Sequence, residues 1–191
     1  MKARWYSWSS GENMFSIDAR RIYLPEPFHQ EARISIQDEK VHRIGDQEKA
    51  LRHLNALQYD LVPGFIDIQL NGGFGFDFIT QPETIWDVGE KLPELGITSF
   101  LPTIITSPLA TIERALHSYQ NGKPDDYQGA NIPGFHLEGP FINPKMRGAH
   151  NIDFIQVPDP AIIEGWDPEA GVSMLTIAPE LPGAKNLILT L

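Results

Sequence analysis

The sequence predicts an α/β chain: about four βα units of an incomplete TIM (β/α)8 barrel, preceded by part of a small β-rich module. Three observations carry this. Up to about residue 60 the texture is short strands and turns. From residue 61 it becomes strand, loop and helix in repetition. Four such units within 61–191 match the stride of a barrel that needs eight units and ~250 residues. The domains are therefore drawn at 1–60 and 61–191.

In the first region Ile34-Ser35-Ile36 alternates, Asp38-Glu39-Lys40 turns, and Val41-His42-Arg43-Ile44 pairs back as a hairpin. Residues 46–58 are polar and predict a short helix. In the second region Leu61 to Leu70 reads as a strand opened by Pro63-Gly64. Residues 82–94 predict a helix, with Pro82 near its start and Gly96 past its end. Ile97 to Thr103 is the next strand, and 108–120 a helix with Ser107 as N-cap. Ile132 to Leu137 is a third strand, 159–165 a short helix, Val172 to Ala178 a fourth strand, and 181–191 the start of another helix. Four units alone leave two open sheet edges, and the chain finishes on Leu187-Ile188-Leu189-Thr190-Leu191 with no cap, so a truncated chain is expected.

Composition narrows the function classes. Twenty-five acidic against 15 basic residues give a net charge of −10, which argues against a nucleic-acid surface. With no cysteine, disulfides, thiolate zinc sites and thiol nucleophiles are excluded. No apolar run reaches the ~18 residues of a membrane span, and Met1-Lys2-Ala3-Arg4-Trp5 does not lead into a signal peptide. A cytoplasmic protein with no membrane partner is expected.

Chemistry concentrates in the second region. Side chains alternate across a strand, so Asp67, Gln69 and Asn71 share one face and Ile66, Ile68 and Leu70 the other. In a barrel the apolar set packs on outer helices and the polar set points to the rim that holds active sites. An edge strand with one solvated face would show the same pattern. Glu138 closes the third strand within Gly134-Phe135-His136-Leu137-Glu138-Gly139-Pro140-Phe141. A carboxylate there needs a cation, donors or a metal. The residues alone leave it open between a salt-bridged structural role and a ligand role, with His136 either a partner donor or a packed core histidine. The loop Asn143 to Asn151 carries two cations, an imidazole and an amide, suited to a polar or anionic substrate or to simple solvation.

Taken together, five stretches resemble the N-acetylglucosamine-6-phosphate deacetylases of the amidohydrolase superfamily. They are Leu61 to Gly73, Thr98-Ser99-Phe100-Leu101-Pro102-Thr103, His136 to Phe141, Arg147-Gly148-Ala149-His150-Asn151, and Leu175-Thr176-Ile177-Ala178-Pro179-Glu180, in the family's order across 61–180. The resemblance implies a β-sandwich built partly from residues 1–60. It implies hydrolysis of the 2-acetamido group of an amino-sugar phosphate, with a homodimer at full length. It implies Glu138 as a metal ligand, one divalent ion (zinc, or iron or another metal), and His150, Ala149, Gln69 and Asn71 at the substrate. Many amidohydrolases carry a His-x-His pair where this chain has Gln69 and Asn71, neither a strong zinc ligand, which implies a single metal. His136 is not a ligand in that pattern.

The same resemblance places two metal-binding histidines and the general acid/base aspartate beyond Leu191. No catalytic residue is therefore expected in this chain, and no activity. His29, His42 and His53 fall in the β-rich start and His117 on an outer helix. A dihydroorotase-like or imidase-like hydrolase would instead carry histidines at positions 69 and 71. A non-catalytic sugar-phosphate-binding or interaction module from a shortened gene is the alternative from outside enzymes.

Overall fold

The computed structural model describes residues 14–24, 29–45, 50 and 52–191. The chain forms two compact units, Met1–Pro63 and Gly64–Leu191.

In the first unit, β1 (Met14–Ile22), β2 (His29–Gln37), β3 (Lys40–Ile44) and β4 (Arg52–Leu61) form one sheet in the order β3-β2-β1-β4. The β2–β3 hairpin closes on Asp38 and Glu39, with Gln37 opposite Lys40. Both turn residues have positive φ, 48° and 63°, as a two-residue turn matched to strand twist requires. Ala19, Ile22 and Ile34 are buried as its apolar centre. The helix expected over 46–58 is not formed where the structure describes it: 52–61 is a strand paired in parallel with β1 from Phe15↔Arg52 to Ile22↔Leu61. Residues 46–49 and 51 lie outside the described residues. Local propensity is a weak prior, and seven paired positions along β1 outweigh it. His53 belongs to this sheet, with Nδ1 3.0 Å from Ser16 Oγ and Nε2 3.2 Å from Asp18 Oδ2. Asp18 also takes two bonds from Arg33, at 2.6 and 2.9 Å.

In the second unit, β5 (Phe65–Leu70) leads into a small ribbon of β6 (Gly72–Gly73) and β7 (Phe76–Asp77). α1 (Ile85–Gly89), β8 (Ile97–Ile105), α2 (Leu109–Gln120), β9 (Phe135–Glu138), β10 (Val172–Thr176) and α3 (Ala184–Thr190) follow. The sheet order is β10-β9-β8-β5, and every pairing in it is parallel. Parallel strands joined through helices make this unit α/β. Its core gathers Phe78, Ile85, Val88, Phe100, Ile104, Phe135 and Leu137. α2 docks there through Ile112, Ala115 and Leu116, one face at helical spacing.

Two helical expectations are refined. The 82–94 helix is broken into a 3-10 turn at Pro82–Thr84, α1, and a 3-10 turn at Leu92–Leu95. Pro93 explains the break: it has no N–H, and its ring opposes the carbonyl four residues back, that of Gly89. That carbonyl accepts from Ala130 N instead (2.9 Å). Ser107 does not cap α2. Pro108 takes the N-cap position, and Ser107 Oγ donates to Ile105 O (2.8 Å).

Burial, and next the charge of Glu90, push the Tyr127 phenol up to about 12, while its hydroxyl donates to Ala130 O. The folded value lies above the 10.0 of an ordinary phenol, so the protonated phenol favours folding. That contribution is complete below about pH 10 and fades as pH rises through about 12. Stability measured by urea melts should fall across this window, and Tyr127→Phe should flatten the fall; an unchanged slope contradicts the assignment.

Candidate functional site

The polar residues meet on one face of the sheet, at the C-terminal ends of its strands. Glu138 is the last residue of β9 and half-buried. Its Oε2 accepts from Gln69 Nε2 at 2.8 Å. Gln69 lies on β5, and β8 stands between β5 and β9. Neighbouring strands are ~4.8 Å apart, so a side-chain bond across an intervening strand needs a sheet curved toward this face. His136 makes the same crossing. Its Nδ1 is 3.0 Å from Ile68 O on β5, and its Nε2 2.7 Å from Thr176 Oγ1 on β10. Buried to 4% exposure, the imidazole braces three strands.

A bulge helps to aim Gln69. Asp67 pairs with Phe100 and Leu70 with Pro102, so β5 holds one more residue than β8 over this stretch. Asp67 Oδ1 accepts from Gln69 N (3.0 Å) within the bulge. The bulge and the edge position also change the expected packing. Of the apolar set, Leu70 joins the core, but Ile66 and Ile68 are 70% and 53% exposed. An edge strand has a neighbour on one side only, so less of its apolar face is covered.

The loop after β9 delivers His150. Its Nε2 is 3.7 Å from Glu138 Oε1, and its Nδ1 2.8 Å from the hydroxyl of Thr106, the residue after β8. Arg147 shapes the turn, with Nη1 donating to His150 O (2.6 Å) and its own carbonyl accepting from His150 N (3.0 Å). Asn143 Nδ2 donates to Glu180 Oε1 at 2.7 Å, which holds the Glu180 carboxyl below its usual range.

Of the residues singled out from sequence, the fold thus gathers Glu138, Gln69 and His150. Asn71 is exposed after β5, and its carbonyl accepts from Phe78 N (3.1 Å). Ala149 is exposed beside His150. No hydrogen bond ties either to Glu138. Thr106 and Thr176 orient the two imidazoles; the sequence reading left Thr106 out and held Thr176 only within the stretch Leu175 to Glu180, with no role of its own. Only their places at the C-terminal ends of strands could have flagged them. Among the described residues no group of three or more His, Cys, Asp or Glu converges as a metal cage. No helix among them is long and apolar enough to cross a membrane.

No family model matches the chain. It is 40% identical over 140 residues to an N-acetylglucosamine-6-phosphate deacetylase of Danio rerio, covering 67% of this chain and 33% of that protein. It is 33% identical over 157 residues to the protein of the same name from Bacillus subtilis, covering 77% of this chain and 40% of the relative. Among solved structures, a mutant N-acetyl-D-glucosamine-6-phosphate deacetylase of Mycobacterium smegmatis, in complex with N-acetyl-D-glucosamine-6-phosphate, superposes with a TM-score of 0.77. That match is 26% identical and covers 94% of this chain and 47% of the other. The chain therefore spans less than half the length of these relatives.

Proposed function

We propose, from the premise that this chain is homologous over most of its length to the N-acetylglucosamine-6-phosphate deacetylases, that it is the metal-binding first half of such an enzyme. The whole protein would hydrolyse the 2-acetamido group of N-acetylglucosamine 6-phosphate to glucosamine 6-phosphate and acetate, as a cytoplasmic homodimer. Residues 61–191 would be the first four βα units of its TIM barrel, and residues 1–60 part of its β-sandwich. The observation that carries this reading is the meeting of Gln69, Glu138 and His150 at the strand ends, across a curved parallel sheet.

The chemistry of Glu138 suits a cation. One oxygen is tied to Gln69, while the other faces His150 beyond hydrogen-bond range and keeps its lone pairs open. Glu138 would be one ligand to a divalent ion, zinc or another metal. A catalytic zinc takes three protein ligands, so the other donors would come from outside the described residues, as would the aspartate acting as general acid/base. Such an ion supplies hydroxide near neutral pH and polarises the amide oxygen. The chain's own residues bind and orient: Gln69 fixes the rotation of the carboxylate, and His150, with Ala149 and Asn71, faces the sugar.

A chimera tests this. The chain replaces the matching part of the Bacillus subtilis relative, and acetate release from N-acetylglucosamine 6-phosphate is measured. The chain alone should give no turnover and the chimera should turn over. Glu138→Gln in the chimera should lower kcat/KM by at least ~100-fold, more than loss of a supporting residue costs. Turnover by the chain alone, or an active Glu138→Gln chimera, contradicts the reading.

A further inference from the structure

The loop that carries His150 follows β9, the strand between β8 and β10, and is tied to both neighbours. Its far end reaches the β8 side, where His150 Nδ1 is 2.8 Å from Thr106 Oγ1. Its near end is tied to the segment after β10: Asn143 Nδ2 donates to Glu180 Oε1 at 2.7 Å, across 37 positions of sequence. The other atom of that amide settles its orientation. Asn143 Oδ1 accepts from Lys145 N (2.9 Å), and a backbone N–H can only donate, so the NH2 group faces Glu180. The side-chain bond extends a backbone one, because Ala178 N donates to Phe141 O (2.8 Å) two residues earlier on each segment. Between the two ties lie two consecutive turns, closed by Met146 N on Asn143 O (2.9 Å) and His150 N on Arg147 O (3.0 Å). Arg147 Nη1 also donates to His150 O (2.6 Å). A displacement at Asn143 is therefore passed from turn to turn to His150.

We infer that Asn143 and Glu180 are positioning residues, whose bond clasps the loop to the end of β10 and fixes where His150 stands at the strand ends. Neither residue is bonded to Glu138, whose own side-chain bond comes from Gln69. The clasp thus acts on the loop and leaves the carboxylate of β9 in place. Its consequence for a ligand rests on the deacetylase reading: the clasp sets the affinity for the amino-sugar phosphate by holding the loop that faces it.

Two near-isosteric substitutions separate this bond from general packing. Asn143→Asp keeps an acceptor for Lys145 N but has no N–H for Glu180, and it sets two carboxylates against each other. Glu180→Gln keeps an oxygen that can accept from Asn143. The two together reverse the bond, with the introduced amide donating to the introduced carboxylate.

The test is hydrogen–deuterium exchange, read by mass spectrometry over 142–151, on the full 191-residue chain. Asn143→Asp should speed exchange there by about 3- to 10-fold, the ratio that one hydrogen bond supports. Glu180→Gln should stay near wild type, and the double variant should return toward it. Peptides across β8 should not change in any of the three. Should Asn143→Asp fail to fold, Glu180→Ala is read in its place with the same expectation. Wild-type exchange in the variant that breaks the bond overturns the inference, as does a double variant no slower than Asn143→Asp alone. In an active chimera, Asn143→Asp should raise KM by about 3- to 10-fold with kcat little changed, and the double variant should reverse the rise. An unchanged KM, or a loss confined to kcat, overturns the positioning role. An inactive chimera removes the deacetylase reading and leaves the clasp decided by exchange.

Discussion

Replacing Phe135 by alanine should destabilise the Gly64–Leu191 unit by about 3–5 kcal/mol, the range for emptying a buried aromatic position. Phe135 is 0% exposed and opens β9, the four-residue strand between β8 and β10. Its ring meets Tyr119 edge-on at 6.4 Å and 71°, a geometry worth about 0.5–1.5 kcal/mol beyond area burial. Collapse around the void is restricted, because β9 is hydrogen-bonded on both sides and His136 ties it to β5 and β10. The urea midpoint, followed by fluorescence of Trp86 and Trp166, which pack against the core, is the readout. Leu189→Ala is the control: at 76% exposure it should stay within about 0.5 kcal/mol of wild type. A Phe135→Ala midpoint matching that control would mean the core is placed wrongly.

The second large effect is expected at Gly139. Its φ of +101° lies where L side chains are strained, at about 1–3 kcal/mol. A Cβ there would also collide with Thr106 Oγ1 and approach Ile142 Cγ1 to 3.1 Å. Gly139→Ala should therefore cost both strain and contact, and move the hydroxyl that holds His150. Gly148 has a φ of +57° with open space around it. Gly148→Ala should cost only the left-handed penalty, about 1–2 kcal/mol. Chemical denaturation ranks the two, and the His150 ring resonances should shift in Gly139→Ala. Equal losses, or an undisturbed His150 in Gly139→Ala, would refute the steric account.

Local signals carried the sequence reading well where the physics is local. The Asp38–Glu39 turn, the apolar stripe of α2 and the placement of Glu138 at a strand end all follow from period, turn chemistry and breakers within a few residues. The failures are of another kind. Residues 52–61 are a strand because β1 offers them a pairing edge some forty positions earlier. Ser107 lost the cap because the chain turns into α2 through Pro108. The strict alternation from Asp67 to Asn71 misses the bulge, since register against β8 is set by the partner strand.

Sequence alone was enough to show that the second region alternates strands with helices, that Glu138 ends a strand, and that five stretches resemble the N-acetylglucosamine-6-phosphate deacetylases. Which polar groups meet is set by the packing of the strands. The bonds Gln69–Glu138, His136–Ile68, His136–Thr176 and His150–Thr106 span 69, 68, 40 and 44 positions. No local pattern encodes such distances. They depend on the curvature of a parallel sheet, which arises when its strands twist and pack together.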